Sequence, residues 1–165
     1  GLGDVYKRQD IRDIAHALSM MTRANGHFTE FYSVARHSVN CALEATARGY
    51  SKRVALFCLL HDSAESYIGD MTRPLKMHFP LFSEYEKKLQ KVIFSKYATL
   101  DIAEDEKEKV KSVDDSLLYH EFLCYHGDKL FDFTPETHID VKDNSKNISE
   151  TEKEFLCMYE ALKIK

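Results

Sequence analysis

Several absences narrow the reading before any motif is considered. The 165 residues contain no alternating apolar–polar stretch of useful length, no internal repeat and no low-complexity tract, which argues against sheet, solenoid and disordered architectures. Proline occurs only three times and glycine six, so the chain has few breakers to interrupt long helices. No apolar run approaches the length that spans a bilayer, and no signal-peptide pattern opens the chain. The expected setting is therefore cytoplasmic, with no membrane partner. Basic residues are not in excess: 23 Lys and Arg against 27 Asp and Glu leave a net charge of −4. A polymeric nucleic-acid binder would normally carry a basic face, so none is expected. Cys41, Cys58, Cys124 and Cys157 form no C-x-x-C pair and fall within helical apolar patterns, which predicts buried free thiols rather than disulfides or a zinc knuckle.

An apolar content of 44% with 30% charged residues fits one globular domain with its own core. The opening GLGDVYKRQ resembles a translated sequencing-adapter tail of the kind found on metagenomic gene models. Residues 1–9 are expected to be a non-native or disordered tail, with the domain running over 10–165.

The helical periodicity is regular. Ile11, Ile14, Ala15, Leu18 and Met21 form one stripe behind Asp10 as N-cap. An irregular linker follows, holding Arg23 and His27. A second helix is predicted over 33–48, with Ser33 as cap and Val34, His37, Cys41 and Ala45 inward. A third is predicted over 51–68, stopped by Gly69, and a loop over 70–80, bracketed by Pro74 and Pro80. Further helices are predicted over 83–98, 105–126 and 148–164, the last with Ser149 and Glu152 as a capping box. Residues 128–148 read as a polar surface excursion. The fold class is all-α: a single-domain bundle of about six helices. Phe155, Leu156, Tyr159 and Leu162 on the last helix suit either core or an interface between copies, and a homo-oligomer is expected.

Four ligand-type residues sit where apolar ones belong. The run Val54–Leu60 ends in His61 and Asp62, with Glu65 one turn on. His37 lies mid-helix on an apolar face, and Asp114 shares a stripe with Val110, Leu117 and Glu121. Taken singly, each also fits a bland role: a core hydrogen bond, a cap or a surface pair. Two imidazoles and two carboxylates together suit a divalent ion such as Mn, Co, Fe, Zn or Mg.

The order His37, His61-Asp62, Asp114 resembles the HD superfamily of metal-dependent phosphohydrolases. The stretches D-I-A-H-A-L-S at 13–19, G-H-F-T-E-F-Y-S-V-A-R-H-S-V at 26–39 and L-L-H-D-S-A-E-S-Y-I-G-D-M-T-R-P-L-K at 59–76 are similar to small phage and bacterial members. Those include 5′-deoxynucleotidases and enzymes that remove triphosphate from dATP. The resemblance implies an HD-domain helical bundle in which His37, His61, Asp62 and Asp114 hold one divalent ion. It also implies catalysis by Glu65 with Asp62, and substrate contacts from Arg23, His27, Asp70, Arg73 and Lys76. The implied substrate is a deoxynucleotide, as monophosphate or triphosphate. The alternative is a catalytically silent nucleotide-binding or sensing module. Only His78 lies between His61-Asp62 and Asp114, which speaks for one metal rather than two.

Overall fold

The computed structural model describes residues 10–98, 101–141 and 147–164; the expected N-terminal tail lies outside them. Among these residues the architecture is all helical, with one isolated β-bridge between Thr22 and Ser33. The elements in order are α1 (Ile11–Met20), a 3-10 turn (Arg23–Gly26), α2 (Val34–Ala47), α3 (Lys52–Leu60), α4 (Glu65–Ile68), α5 (Arg73–Lys76), α6 (Pro80–Tyr97), α7 (Glu104–Tyr125) and α8 (Ile148–Leu162). The bundle and its elements match the all-α expectation.

Caps set the helix starts. Asp10, Ser33 and Ser51 each accept a hydrogen bond from a backbone N–H within the first turn of α1, α2 and α3, satisfying a donor that helix geometry leaves unpaired. The capping box of α8 lies two residues earlier than expected. Asn147 accepts from Glu150 N, and the Glu150 side chain accepts from Asn147 N. Helix α6 likewise starts at Pro80 instead of residue 83, because proline's fixed φ suits a first helical turn. The loop before it contains the single turn α5.

Helix α3 is the axis of the domain. Val54 through Leu60 are all at most 2% exposed, surrounded by α2, α7 and α8. A helix that is apolar on every side is stable only when neighbours cover it all round. The last helix supplies part of that cover: Phe155 and Leu162 are buried, and Leu156 and Tyr159 pack on the core. Its apolar stripe is therefore core.

One expectation fails in an informative way. The third helix does not run on to residue 68. It stops at Leu60, and the chain crosses 61–64 in tight i→i+3 turns before α4. Gln90 of α6 holds the break open: its amide nitrogen donates to Leu60 O at 2.6 Å, and its amide oxygen accepts from Ala64 N at 2.9 Å. Those bonds replace the backbone partners lost at the break.

The cysteines are free. Cys41 and Cys58 are buried as expected, Cys124 is half-buried and Cys157 is exposed, since it lies on α8 away from the buried Phe155 and Leu162. Residues 128–141 contain no helix, yet they are not loosely attached. Buried Glu44 accepts from His138 N at 2.7 Å and pairs with His138 Nδ1 at 2.9 Å, and the His120 ring bonds Pro135 O at 2.8 Å. These two histidines, half-buried His120 and exposed His138, tie the excursion to α7 and α2.

Leu56 and Leu59 are completely buried in α3. Leu56→Ala is expected to cost about 2–5 kcal/mol and to lower the melting temperature by roughly 5–15 °C, measured by calorimetry. A shift within about 1 °C would contradict the placement of α3 at the centre.

Candidate active site

Three helices bring the ligand-type residues together. His37 comes from the middle of α2, His61 and Asp62 from the turn where α3 breaks, and Asp114 from α7. The His-Asp pair leaves the end of α3 in i→i+3 turns.

The donor atoms converge. His37 Nε2 lies 3.1 Å from Asp114 Oδ1, 3.3 Å from His61 Nε2 and 3.7 Å from Asp62 Oδ2. His61 Nε2 is in turn 3.3 Å from Asp62 Oδ2 and 3.7 Å from Asp114 Oδ1. Ligand atoms bound at about 2.1 Å to one first-row ion stand about 3.0 Å apart in octahedral geometry and about 3.4 Å apart in tetrahedral geometry. The observed spacings, 3.1 to 3.7 Å, begin just above the octahedral value and bracket the tetrahedral one. The other ring nitrogens are engaged: His37 Nδ1 with Glu121 Oε1 at 2.6 Å, and His61 Nδ1 donating to Cys58 O at 2.7 Å. That leaves both Nε2 atoms directed at the shared point, the arrangement ligating imidazoles need. Cys41, one turn after His37, places Sγ 3.4 Å from His37 Nε2, so His37, Cys41 and His61 form a buried group able to hold a metal ion. Burial pushes the Cys41 thiol up to about 11, which keeps it from the thiolate form that ligates metal and sets it apart from the histidines and carboxylates.

Electrostatics reflect the same convergence. Burial opposes charge on every group here, but the partners prevail. His37 is held well above the ordinary imidazole value against burial and Arg23, with Cys41, Glu121 and Asp114 raising it. Asp114 is held well below the usual carboxylate range by hydrogen bonds from His37 and His61. A cation at the shared point is the natural replacement for the protons these groups retain without one.

Glu65 behaves differently. It starts α4, is 4% exposed, and its Oε2 has no hydrogen-bond partner among the described residues. Burial, then Asp62 and Asp70, push its carboxyl up to about 10 against the pull of Lys76 and Arg23. Lys76 Nζ lies 3.5 Å from Glu65 Oε1 and 2.6 Å from Glu86 Oε1.

Arg23 reaches the cluster from an unusual backbone. The linker is pinned by Arg23 N to Tyr32 O (2.8 Å) and Val34 N to Met21 O (3.0 Å), while Ala24 and Asn25 adopt φ of +53° and +50°. That conformation costs a non-glycine residue of order 1 kcal/mol, and it delivers a buried guanidinium to the cluster. Its Nη1 is 3.4 Å from Asp62 Oδ2 and its Nη2 is 3.6 Å from Asp114 Oδ1. Arg73, from α5, pairs with Asp114 and Asp115. Asp70 is half-buried, with its pKa raised first by burial and influenced by Arg23, Asp62 and Lys76. His27 is exposed, with no described side-chain bond to this cluster.

Two features escaped the sequence reading. Glu121, completely buried, bonds Arg23, Tyr32 and His37 at once; its place on the Asp114 stripe was the available signal. The second is a cavity of about 750 Å³ between α6 and α7, reaching from His61 and Asp114 outward past Lys87, Lys91, Lys107 and Lys111.

Against known proteins, no family model matches the chain. Over 87 residues (53% of the chain, 46% of the relative) it is 39% identical to the uncharacterised protein YfdR of Escherichia coli. It is 44% identical over 72 residues to an uncharacterised protein of Rhodobacter capsulatus, covering 41% of the chain and 36% of the relative. It is also 30% identical over 95 residues to a 5′-deoxynucleotidase of Photorhabdus temperata, covering 51% and 48%. The chain thus spans less than half the length of each of these relatives. The similarity to a hydrolase and the buried His-Cys-His group are coarse pointers toward metal-dependent phosphate chemistry.

Adding Co²⁺ or Mn²⁺ to EDTA-stripped protein is expected to raise its melting temperature. At 100-fold excess over Kd the gain is about 2.7 kcal/mol. His61→Ala should remove the shift, and an unshifted wild-type protein would overturn the metal reading.

Proposed function

We propose that the protein is a metal-dependent phosphohydrolase acting on deoxynucleotides. The observation that carries this reading is the convergence of four nitrogen and oxygen donors at single-ion spacing beside a buried carboxyl pushed up to about 10. In it His37, His61, Asp62 and Asp114 hold one divalent ion, of the Mn, Co, Fe, Zn or Mg group. When bound, the ion supplies Lewis acidity toward a phosphoryl oxygen and acidifies water.

The remaining chemistry belongs to the chain. Glu65, kept protonated at neutral pH, donates its proton to the oxygen leaving phosphorus. Lys76 holds Glu65 Oε1 in place and adds positive charge on the phosphate side. Arg23 presents its two terminal nitrogens toward the cluster, the fork that matches phosphate oxygens. Arg73, at the mouth, supplements that charge. Asp62 combines ligation with orientation of the attacking water, and Asp70 and His27 meet the nucleoside. The likeness to the Photorhabdus temperata enzyme supports a deoxynucleotide as substrate. Among the described residues no helix is long and apolar enough to cross a membrane; a small-molecule substrate in the cytoplasm is the setting proposed.

A specific observation favours the triphosphate form over the monophosphate. The cavity that begins at His61 and Asp114 is walled by Lys87 and Lys91 on α6 and by Lys107 and Lys111 on α7. Lys107 and Lys111 are paired with Glu104 and Asp115, and Asp101 also lines the opening, so in a protein of net charge −4 Lys87 and Lys91 supply the local positive charge that suits a polyphosphate chain. Hydrolysis at the α-phosphorus would then form a new P–O bond from water and break the bond to the 5′ oxygen, releasing nucleoside and inorganic triphosphate.

Release of phosphate and of triphosphate from a panel of dNMPs and dNTPs, with Co²⁺ or Mn²⁺, tests this. Glu65→Gln is expected to reduce turnover by about 10²–10⁴-fold while leaving metal content unchanged. A metal-loaded protein that hydrolyses no nucleotide would sink the proposal.

A further inference from the structure

Glu121 has no role in the chemistry assigned above, yet it is completely buried and bonded to three side chains of the site region. Its carboxylate is completely buried on α7, two turns beyond Asp114. Oε1 accepts from Tyr32 OH at 3.0 Å and meets His37 Nδ1 at 2.6 Å; Oε2 accepts from Arg23 Nε at 2.8 Å. Asn40 Nδ2 donates to the Tyr32 hydroxyl at 2.9 Å and so fixes that phenol as a donor to the carboxylate. Each oxygen therefore serves a different part of the site.

We infer that Glu121 is a positioning residue that sets a metal-ligand imidazole and the phosphate-binding guanidinium with one carboxylate, so that metal affinity and phosphate affinity both depend on it. This rests on the metal and phosphate roles proposed above for His37 and Arg23.

The geometry separates the two actions. At His37, an acceptor on Nδ1 obliges the ring to carry its proton there and turns the Nε2 lone pair toward Asp114, His61 and Asp62. A charged acceptor also raises the basicity of the ligating nitrogen, and removal of such partners typically costs 10–100-fold in metal affinity. At Arg23, the short bond uses Nε, at the base of the guanidinium. The terminal nitrogens are left with only long contacts, 3.4 Å to Asp62 and 3.6 Å to Asp114. Those carboxylates are the proposed ligands. Once they serve an ion, Glu121 is the anion that still holds Arg23 in place, with both terminal nitrogens turned to the substrate side. A guanidinium held by Nε and open at its fork is prepared for bidentate contact with two phosphate oxygens.

Asp62 and Asp114 also lie near both groups, but at His37 Nε2 and the terminal guanidinium nitrogens; among the described residues Glu121 is the carboxylate bonded to His37 Nδ1 and Arg23 Nε. Glu44 offers an internal control, being equally buried on the same helix as His37 but engaged with Arg48 and His138.

The test measures Co²⁺ affinity of EDTA-stripped protein by titration calorimetry, then inorganic phosphate affinity at saturating Co²⁺. Glu121→Gln is expected to weaken Co²⁺ binding about 10–100-fold and to weaken phosphate binding as well, with an altered Co²⁺ visible spectrum. Glu44→Gln should leave both affinities within about twofold of wild type, because a loss shared by any buried carboxylate is not the effect inferred. A folded Glu121→Gln protein that binds Co²⁺ and phosphate like wild type overturns the inference. Should Glu121→Gln not fold, Tyr32→Phe takes its place: it removes one anchor of Oε1 and is expected to weaken Co²⁺ severalfold, and an unchanged affinity overturns the inference equally. The two proposals fail separately. Wild-type protein that binds Co²⁺ and phosphate but hydrolyses no nucleotide sinks the proposed function and leaves Glu121 in its role; wild-type protein that takes up no Co²⁺ sinks both.

Discussion

A carboxylate sealed from water must be matched by donors, and Glu121 is matched by three. Arg23, Tyr32 and His37 come from a linker, the end of that linker and a helix, and each is anchored by the same two oxygens. Losing a partner of a buried charge costs about 3–5 kcal/mol, because the group left behind is uncompensated. That penalty makes the arrangement close to all-or-none. The irregular segment 22–33, which has little secondary structure of its own, is fixed against α7 by the bonds of Arg23 and Tyr32 to Glu121 and of Thr29 to Tyr125 O. The aromatic cluster of Phe28, Tyr32, Phe122 and Tyr125 packs beside it and supplies the apolar burial that makes the carboxylate's matching obligatory. Stability and site geometry are here one set of contacts.

A second constraint acts at the end of α3. Seven successive apolar residues drive that helix through the centre of the domain, and the same burial would be a poor place for His61 and Asp62 if the helix continued. The break solves this. It turns His61 and Asp62 to a half-buried position while Ser63 and Ala64 stay buried, and Gln90 bridges Leu60 O and Ala64 N, the acceptor and donor of the i→i+4 bond that the break removes. Since Gln90 sits on α6, between Lys87 and Lys91 in the chain, the helix that stabilises the break is also the helix that walls the cavity. Any displacement of α6 would alter both together.

Much of this was legible in the sequence and some was not, for identifiable reasons. Helices α1, α2, α7 and α8 follow from apolar stripes and caps, since those signals are local. The His37, His61-Asp62 and Asp114 set was legible because ligand-type residues interrupt apolar faces that otherwise have no use for them. The break after Leu60 was not, because the apolar period runs on through it and its stabilising glutamine lies 30 positions away. The α8 capping box was misplaced by two residues because Asn147/Glu150 and Ser149/Glu152 both satisfy the pattern. Glu121 shared a visible stripe with Asp114, but its significance depends on Arg23, and periodicity cannot place a residue in an irregular linker. The lysines of α6 and α7 are spaced i, i+4 on each helix and read as two solvated faces. That they look at one cavity is a property of helix packing alone.

The charges explain why such a cavity can work beside an acidic cluster. Asp62, Asp114, Glu65 and Asp70 would by themselves repel any phosphate. Burial already neutralises Glu65, pushing it up to about 10, and Arg23, Arg73 and Lys76 are tied to the remaining carboxylates and to Glu86. On the proposed function, a divalent cation shared by Asp62 and Asp114 cancels their charge and weakens their hold on Arg23 and Arg73. The guanidinium forks, with Lys87 and Lys91 on the cavity wall, then face the substrate as positive charge. Glu121 and Glu86 keep Arg23 and Lys76 from following the substrate out. The field that attracts a phosphate chain therefore depends on metal being present first, a sequence of binding that follows from which carboxylates the cations share and which they keep to themselves.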